Sequence, residues 1–191
     1  YNEVLSHGIK KNLIENLSKV DTLNEYLILH RKIDFEKISY KKNFKKILAD
    51  FGWYGFSEQI RLPELLHKLK PDLVHFPHFN IPVFYSGRFV VTIHDLIHKH
   101  FNLAKATTHG TFVFKIKRLG YNLALMKGLH SSQKVITVSE YVKNELIHKW
   151  KINSKKIVIT HEGVDQNLIK LSLKMSQKSI NHVFSKFQIK S

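Results

Sequence analysis

Two short apolar runs in the middle of the chain constrain its fold most. The first is Asp72-Leu73-Val74-His75-Phe76, followed by Pro77-His78-Phe79-Asn80. The second is Phe89-Val90-Val91-Thr92-Ile93, followed by His94-Asp95-Leu96. Each run stops abruptly in polar, chemically capable residues. A parallel strand buried on both faces has this pattern, because only its carboxyl end can deliver polar side chains to solvent. Ligands of open α/β sheets bind in the crevice beyond those ends. The site is therefore expected where the runs stop, with His94 and Asp95 at the tip.

The rest of the chain supports the same architecture. Leu13, Ile14, Leu17 and Val20 recur at helical spacing. Strands are expected at Tyr26–Leu29 and, more weakly, at Lys37–Tyr40. Asn43–Phe56, rich in lysine and aromatics, matches no simple pattern. A helix is expected to begin at Ser57-Glu58, with Pro63 starting or restarting a turn. Leu62, Leu65, Leu66 and Leu69 form its apolar face, and Pro71 stops it. A long helix should run from about Thr108 to Leu129. Lys134–Val138 reads as a strand, Ser139 as the N-cap of the next helix and Lys156–Thr160 as the last strand. Asp165 can cap a final helix over Gln166–Phe187. This alternation predicts an α/β, Rossmann-like, mostly parallel sheet with helices on both faces. A doubly wound domain ordinarily begins with a strand that feeds its first helix. None is visible here, so an opening strand is expected to be missing or the sheet to have an unusual edge.

Composition narrows the partners. At 191 residues and 43% hydrophobic, the chain can bury one substantial core. Cysteine is absent, which excludes disulfides and thiolate metal sites. No run approaches the ~20 apolar residues of a membrane span, and the first residues lack the apolar segment of a secretory leader. Lys and Arg number 31 against 15 Asp and Glu, a formal net charge of +16. Solvated lysine faces, an anionic membrane surface and nucleic acid are the competing readings. The arginines are Arg31, Arg61, Arg88 and Arg118 alone. Phosphate and base recognition favour the arginine fork, so nucleic acid is the least favoured partner. Thr111–Leu119 mixes bulky apolar residues with cations, as an ordinary covering helix or one lying on an anionic bilayer would.

The strand ends supply the candidate site. His78 and Asn80 follow the first key strand, His94 and Asp95 the second, Ser139 and Glu140 the third, and His161, Glu162 and Gly163 the last. An imidazole at a strand tip can exchange a proton near neutral pH, or it can merely hydrogen-bond a loop. His75, inside a strand, reads as a structural histidine. His94, His98 and His100 with Asp95 do not suit a metal, since the four-residue spacing works on a helix and His94 ends a strand. Ser139 lacks the glycine-flanked elbow of a nucleophile. No dinucleotide or P-loop glycine pattern occurs.

Four segments in order carry a resemblance: Pro71–His75, Val91–Leu96, Val135–Tyr141 and Glu162-Gly163-Val164-Asp165. Together they resemble the N-terminal half of a family-4 glycosyltransferase of the GT-B fold. The resemblance implies one lobe of a two-lobed enzyme: a Rossmann-like acceptor-side domain over residues 1–165, and a helical segment over 166–191 leading to the hinge of a C-terminal donor domain. It implies retaining transfer of a sugar from a nucleotide-sugar to a hydroxyl of a glycan or lipid-linked acceptor, with no metal cofactor. His94 matches the family histidine that contacts the reacting sugar. His78, Asn80, Asp95 and Ser139 are then expected on the acceptor side, and Glu162, Gly163 and Gly8 on the donor or hinge side.

Three departures qualify the match. The opening strand and glycine-rich loop are not visible, and Ser6-His7-Gly8-Ile9 is out of register as a remnant. The donor-binding pair of glutamates eight positions apart is absent. The sequence stops at Ser191, about where a second lobe would begin. The expectation is a cytoplasmic chain, peripheral at the inner membrane face, that transfers sugar only with a donor lobe supplied in cis or in trans. The alternative is a non-catalytic basic α/β module that binds an anionic membrane surface or a phosphorylated ligand.

Overall fold

A computed structural model describes residues 12–36, 40, 43–52, 55–96, 111–164, 166–174 and 176–188. Helix α1 (12–20) leads to β1 (Tyr26–His30), the short α2 (Lys32–Phe35) and β2 (Phe44–Leu48). Helix α3 (Phe56–Leu69), β3 (Val74–Phe76) and β4 (Phe89–Ile93) follow. Then come α4 (Thr111–Ser131), β5 (Lys134–Thr137), α5 (Glu140–His148), a 3-10 turn (Ser154–Lys156) and β6 (Ile157–Ile159). Helices α6 (Gln166–Lys174) and α7 (Gln177–Phe187) complete the order. The chain divides into two compact units, Tyr1–His161 and Glu162–Ser191.

Every strand pairing described is parallel. One sheet has the order β3-β4-β5-β6, and a second pairs β1 with β2. In the larger sheet Phe76 pairs with Val91, Val91 with Val135, and Val135 with Ile157. Paired residues of a parallel ladder share a face, so these four form one apolar row, and all are buried. Each contributes roughly 1.5–3 kcal/mol of burial. On β4, Phe89, Val91 and Ile93 are buried on one face and Thr92 on the other. Cover on both faces accounts for its near-continuous apolar sequence.

The helices bury matching stripes. Ala124, Leu125 and Leu129 of α4 are buried around Gly128. A Cβ at Gly128 would stand 2.7 Å from Ile81 Cδ1 and 3.8 Å from both Val91 γ-methyls, so a bare backbone brings α4 down onto β4. On α5, Val142 and Leu146 are buried, and Ser139 Oγ accepts the Val142 N–H at 3.3 Å as an N-cap. On α3, Leu62 and Leu66 are buried, with Leu65 packed against the same core. That helix ends on Lys70 at φ 48°, whose N–H donates to Leu66 O. Pro71 then prevents continuation.

The smaller sheet lies where the sequence pattern is weakest. Of the expected strand Lys37–Tyr40, residues 37–39 lie outside the described residues, and Tyr40 is assigned to no strand, its hydroxyl meeting His30 Nε2 at 2.8 Å. The partner of β1 is Phe44–Leu48 instead, hidden in the sequence by Lys45 and Lys46. Lys46 lays its stem along the protein, with Nζ 4.8 Å from the Phe35 ring centroid and donating to Phe35 O. Phe44 is buried and stacks on Tyr26 at 4.4 Å. Leu29, Ala49 and Phe51 join the core that the larger sheet builds.

Three other details differ from the sequence expectation. The N-cap of α3 is Gly55, with no side-chain cap, so Ser57 lies inside the helix. Pro63 is buried within α3 rather than at a start. The expected single helix over Gln166–Phe187 is two, because Ser176 opens α7 by accepting the Ser179 N–H at 3.3 Å.

Two substitutions test this packing. Gly128→Ala should destabilise the protein by about 1 kcal/mol, since the buried Ile81 side chain must repack around the new methyl and the gain in helix propensity offsets only part of that cost. Thr137 is fully buried and its hydroxyl has no hydrogen-bond partner among the described residues. Thr137→Val should therefore raise stability by about 1 kcal/mol. Urea denaturation reads both.

Candidate functional site

Parallel order puts the carboxyl ends of β3, β4, β5 and β6 along one edge. Hydrogen bonds between neighbouring ends knit it together. His94 Nε2 lies 3.1 Å from Pro77 O, joining the end of β4 to that of β3. A carbonyl only accepts, so Nε2 is the donor in this bond. Thr160 N donates to Thr137 O at 2.8 Å, and His161 Nδ1 donates to Val138 O at 3.1 Å, joining β6 to β5. Ile93 pairs with Thr137, so Asp95 and Ser139 occupy equivalent positions two residues beyond the ladder.

Behind His94 stand Thr92 and His75, on the sheet face opposite the apolar row. His75 Nε2 and Thr92 Oγ1 are 2.8 Å apart. His75 is exposed at the surface rather than enclosed in the core. The surrounding protein still lowers its pKa below the ordinary 6.5, and nearby His94 adds to the effect. Solvent on its open side screens part of that shift.

The loop between β3 and β4 is anchored from α3. Asn80 Nδ2 donates to Glu58 Oε2 at 2.8 Å, and Val83 N donates to Gln59 Oε1 at 2.8 Å. Glu58 is only 2% exposed, so a buried carboxylate holds this segment. Ile81 and Tyr85 plug the loop into the core. Ring contacts run from His78 to Phe79, with centroids 4.0 Å apart, and from Phe79 edge-on to Tyr121 at 4.6 Å. The Tyr121 phenol is pushed up to about 12, by burial first and then by the Asp95 carboxylate, so it stays protonated.

The structure thus gathers His78, Asn80, His94 and Asp95 around the ends of β3 and β4. Ser139 stands at the next strand end, its oxygen engaged as the cap of α5. Glu162 and Gly163 are exposed residues of the second unit, and a Cβ at Gly163 would meet nothing within 4 Å. Gly8, Asp165, His98 and His100 lie outside the described residues. Among the described residues no group of three His, Asp or Glu side chains could hold a metal ion. Sequence reasoning missed Glu58, Gln59 and Tyr121 as supports of the site. Glu58 and Asn80 are 22 positions apart and carry no local signal of their pairing.

The sequence profile of Glycosyltransferase Family 4 matches residues 31–168, a span containing every one of the rim positions just described. No curated protein matches the chain. Among solved structures the chain is similar to a glycosyltransferase from Rickettsia africae ESF-5, at 16% identity and a TM-score of 0.45. The similarity covers 88% of this chain and 51% of that one, so the chain spans about half that protein's length.

His75 supplies a pH test. Its pKa is lowered in the folded state, so on acidification the unfolded chain takes up the proton first. The resulting stability is present above pH 6.5 and is lost as pH falls from there toward the folded value. The urea midpoint of the wild type should fall more steeply below that pH than that of His75→Asn. Coincident slopes would show that His75 carries no such linkage.

Proposed function

The chain belongs to glycosyltransferase family 4, and from that premise we propose that it is the acceptor-holding lobe of a retaining glycosyltransferase. The observation that carries this reading is the profile match across β3–β6, with His94 at the strand edge and its ring held by Pro77 O. The donor is a nucleotide-sugar, and the acceptor is a hydroxyl of a glycan or lipid-linked glycan. The bond from the sugar's anomeric carbon to phosphate breaks, and a bond to the acceptor oxygen forms with the configuration retained. The acceptor's proton departs with the leaving phosphate. No metal takes part.

In this reading His94 contacts the reacting sugar. Anchoring through Nε2 fixes the ring at the edge before substrate arrives, which limits the reorganisation needed at the transition state. His78, Asn80, Asp95 and Ser139 contact the acceptor. The Glu58–Asn80 bond and the Phe79–Tyr121 contact hold the loop that presents them. Glu162, Gly163 and Gly8 serve the donor or hinge side.

Transfer needs the leaving phosphate's charge stabilised and both substrates held at ~3–3.5 Å. A second lobe supplies the donor site, in cis or in trans. The chain alone is therefore expected to bind acceptor weakly and to turn over little.

The test is sugar transfer by the two-lobed protein, with and without His94→Ala. Loss of a group that contacts the reacting sugar should lower kcat by roughly a hundredfold or more. Unchanged turnover would remove His94 from the assigned role. The anomeric configuration of the product, read by NMR, separately tests retention.

A further inference from the structure

Two consecutive residues of α3 hold the loop between β3 and β4, and they do so with different chemistry. Gln59 Oε1 accepts the Val83 N–H at 2.8 Å, and Glu58 Oε2 accepts from Asn80 Nδ2 at 2.8 Å. A backbone N–H only donates, so an amide side chain can meet it only through its carbonyl. A side-chain amide is two-faced. Nδ2 donates, Oδ1 accepts, and a half-turn about the last side-chain bond exchanges them. Opposite this two-faced group stands an acid, Glu58, only 2% exposed.

A buried carboxylate is a costly strut unless hydrogen bonds replace its water. A glutamine of the same length could bridge the same gap. What the carboxylate adds is direction. Its oxygens accept and do not donate, so Asn80 can satisfy it only with Nδ2. The place suits a negative charge, because Glu58 lies in the first turn of α3, where the unpaired N–H groups of a helix favour an anion. With Nδ2 turned toward α3, Oδ1 is the pole of the amide left for a ligand. Asn80 is half-buried, and its Oδ1 makes no hydrogen bond among the described residues and is not enclosed. It stands with His78, His94 and Asp95 beyond the ends of β3 and β4.

We propose that Asn80 is a specificity-determining residue that accepts, through Oδ1, a hydrogen bond from one hydroxyl of the acceptor, and that Glu58 is the positioning residue that sets the amide in this direction. The inference rests on the acceptor-lobe reading and deepens it by naming the kind of group that the β3–β4 loop reads. A hydroxyl can donate to Oδ1. An ether oxygen, a carbonyl or a fluorine in the same place would set acceptor against acceptor. An amide able to turn over would take either kind of group, and the locked one takes the hydroxyl.

The experiment follows the amides of the isotope-labelled full chain by NMR during titration with methyl hexopyranosides. The same titrations are made with analogues that carry fluorine in place of one hydroxyl at a time. Wild type should bind a parent glycoside roughly tenfold more tightly than the analogue fluorinated at the hydroxyl that Asn80 reads, the loss of about one hydrogen bond. Glu58→Gln can bond Asn80 in either orientation of its amide, so the loop stays anchored while the ratio should fall to about twofold or less. Asn80→Ala should lower the ratio likewise, and it keeps the test decisive if Glu58→Gln does not fold. A merely structural Glu58 would change the affinity for parent and analogue alike and leave their ratio intact. The wild-type ratio in Glu58→Gln or in Asn80→Ala would overturn the proposal. So would a wild type that binds every fluorinated analogue as tightly as its parent, and in both cases the acceptor-lobe reading would stand. If no glycoside moved the amides around the ends of β3 and β4, that reading would fall and the proposal with it.

Discussion

The apolar row Phe76, Val91, Val135 and Ile157 is the constraint on which the first unit depends. Parallel pairing aligns these side chains, and alignment lets α4 and α5 cover them with single stripes. A slip of one residue on any strand would turn its buried set to the opposite face. The same register decides which residues emerge at the carboxyl edge. Core packing and site geometry therefore have one cause: the row that buries Val91 also brings His94 level with the end of β3.

At the edge, the polar groups act mainly on one another. His94 is tied to Pro77, His161 to Val138, Asn80 to Glu58, and Ser139 to the first turn of α5. Such bonds hold side chains in place before a ligand arrives, which reduces the ordering cost on binding. They also explain how a loop bearing His78 and Asn80 keeps its position although it spans more than ten residues between strands. The buried Glu58 carboxylate and the plugs Ile81 and Tyr85 supply order that the loop's own sequence lacks.

The two units solve different physical problems. The first buries its large apolar side chains under helices and concentrates polar groups at a strand edge. The second leaves leucines and phenylalanines exposed and, after Glu162 and Asp165, carries lysines with no further acid. Lysine excess over the first unit is compatible with solvated faces.

Sequence alone determined much of this protein, because short apolar strands that end in polar residues leave a readable trace. The runs that became β3, β4, β5 and β6, the stop at Pro71 and the cap at Ser139 could all be located from local pattern, and with them the edge bearing His94 and Asp95. The order of motifs from Pro71 to Asp165 also carried the family. Tertiary structure decided the rest. Strand β2 was illegible because Lys45 and Lys46 break its apolar pattern, and only Phe35 and Tyr26 show how its side chains are accommodated. The final helix split in two at a serine whose capping bond competes with helix continuation only by local free energies of ~1 kcal/mol. Glu58 read as part of a helix start until folding placed it against Asn80. Local periodicity records which side of an element is dry. It does not record which distant polar group lies across the gap, because that pairing forms only when the core has set the distance between the elements.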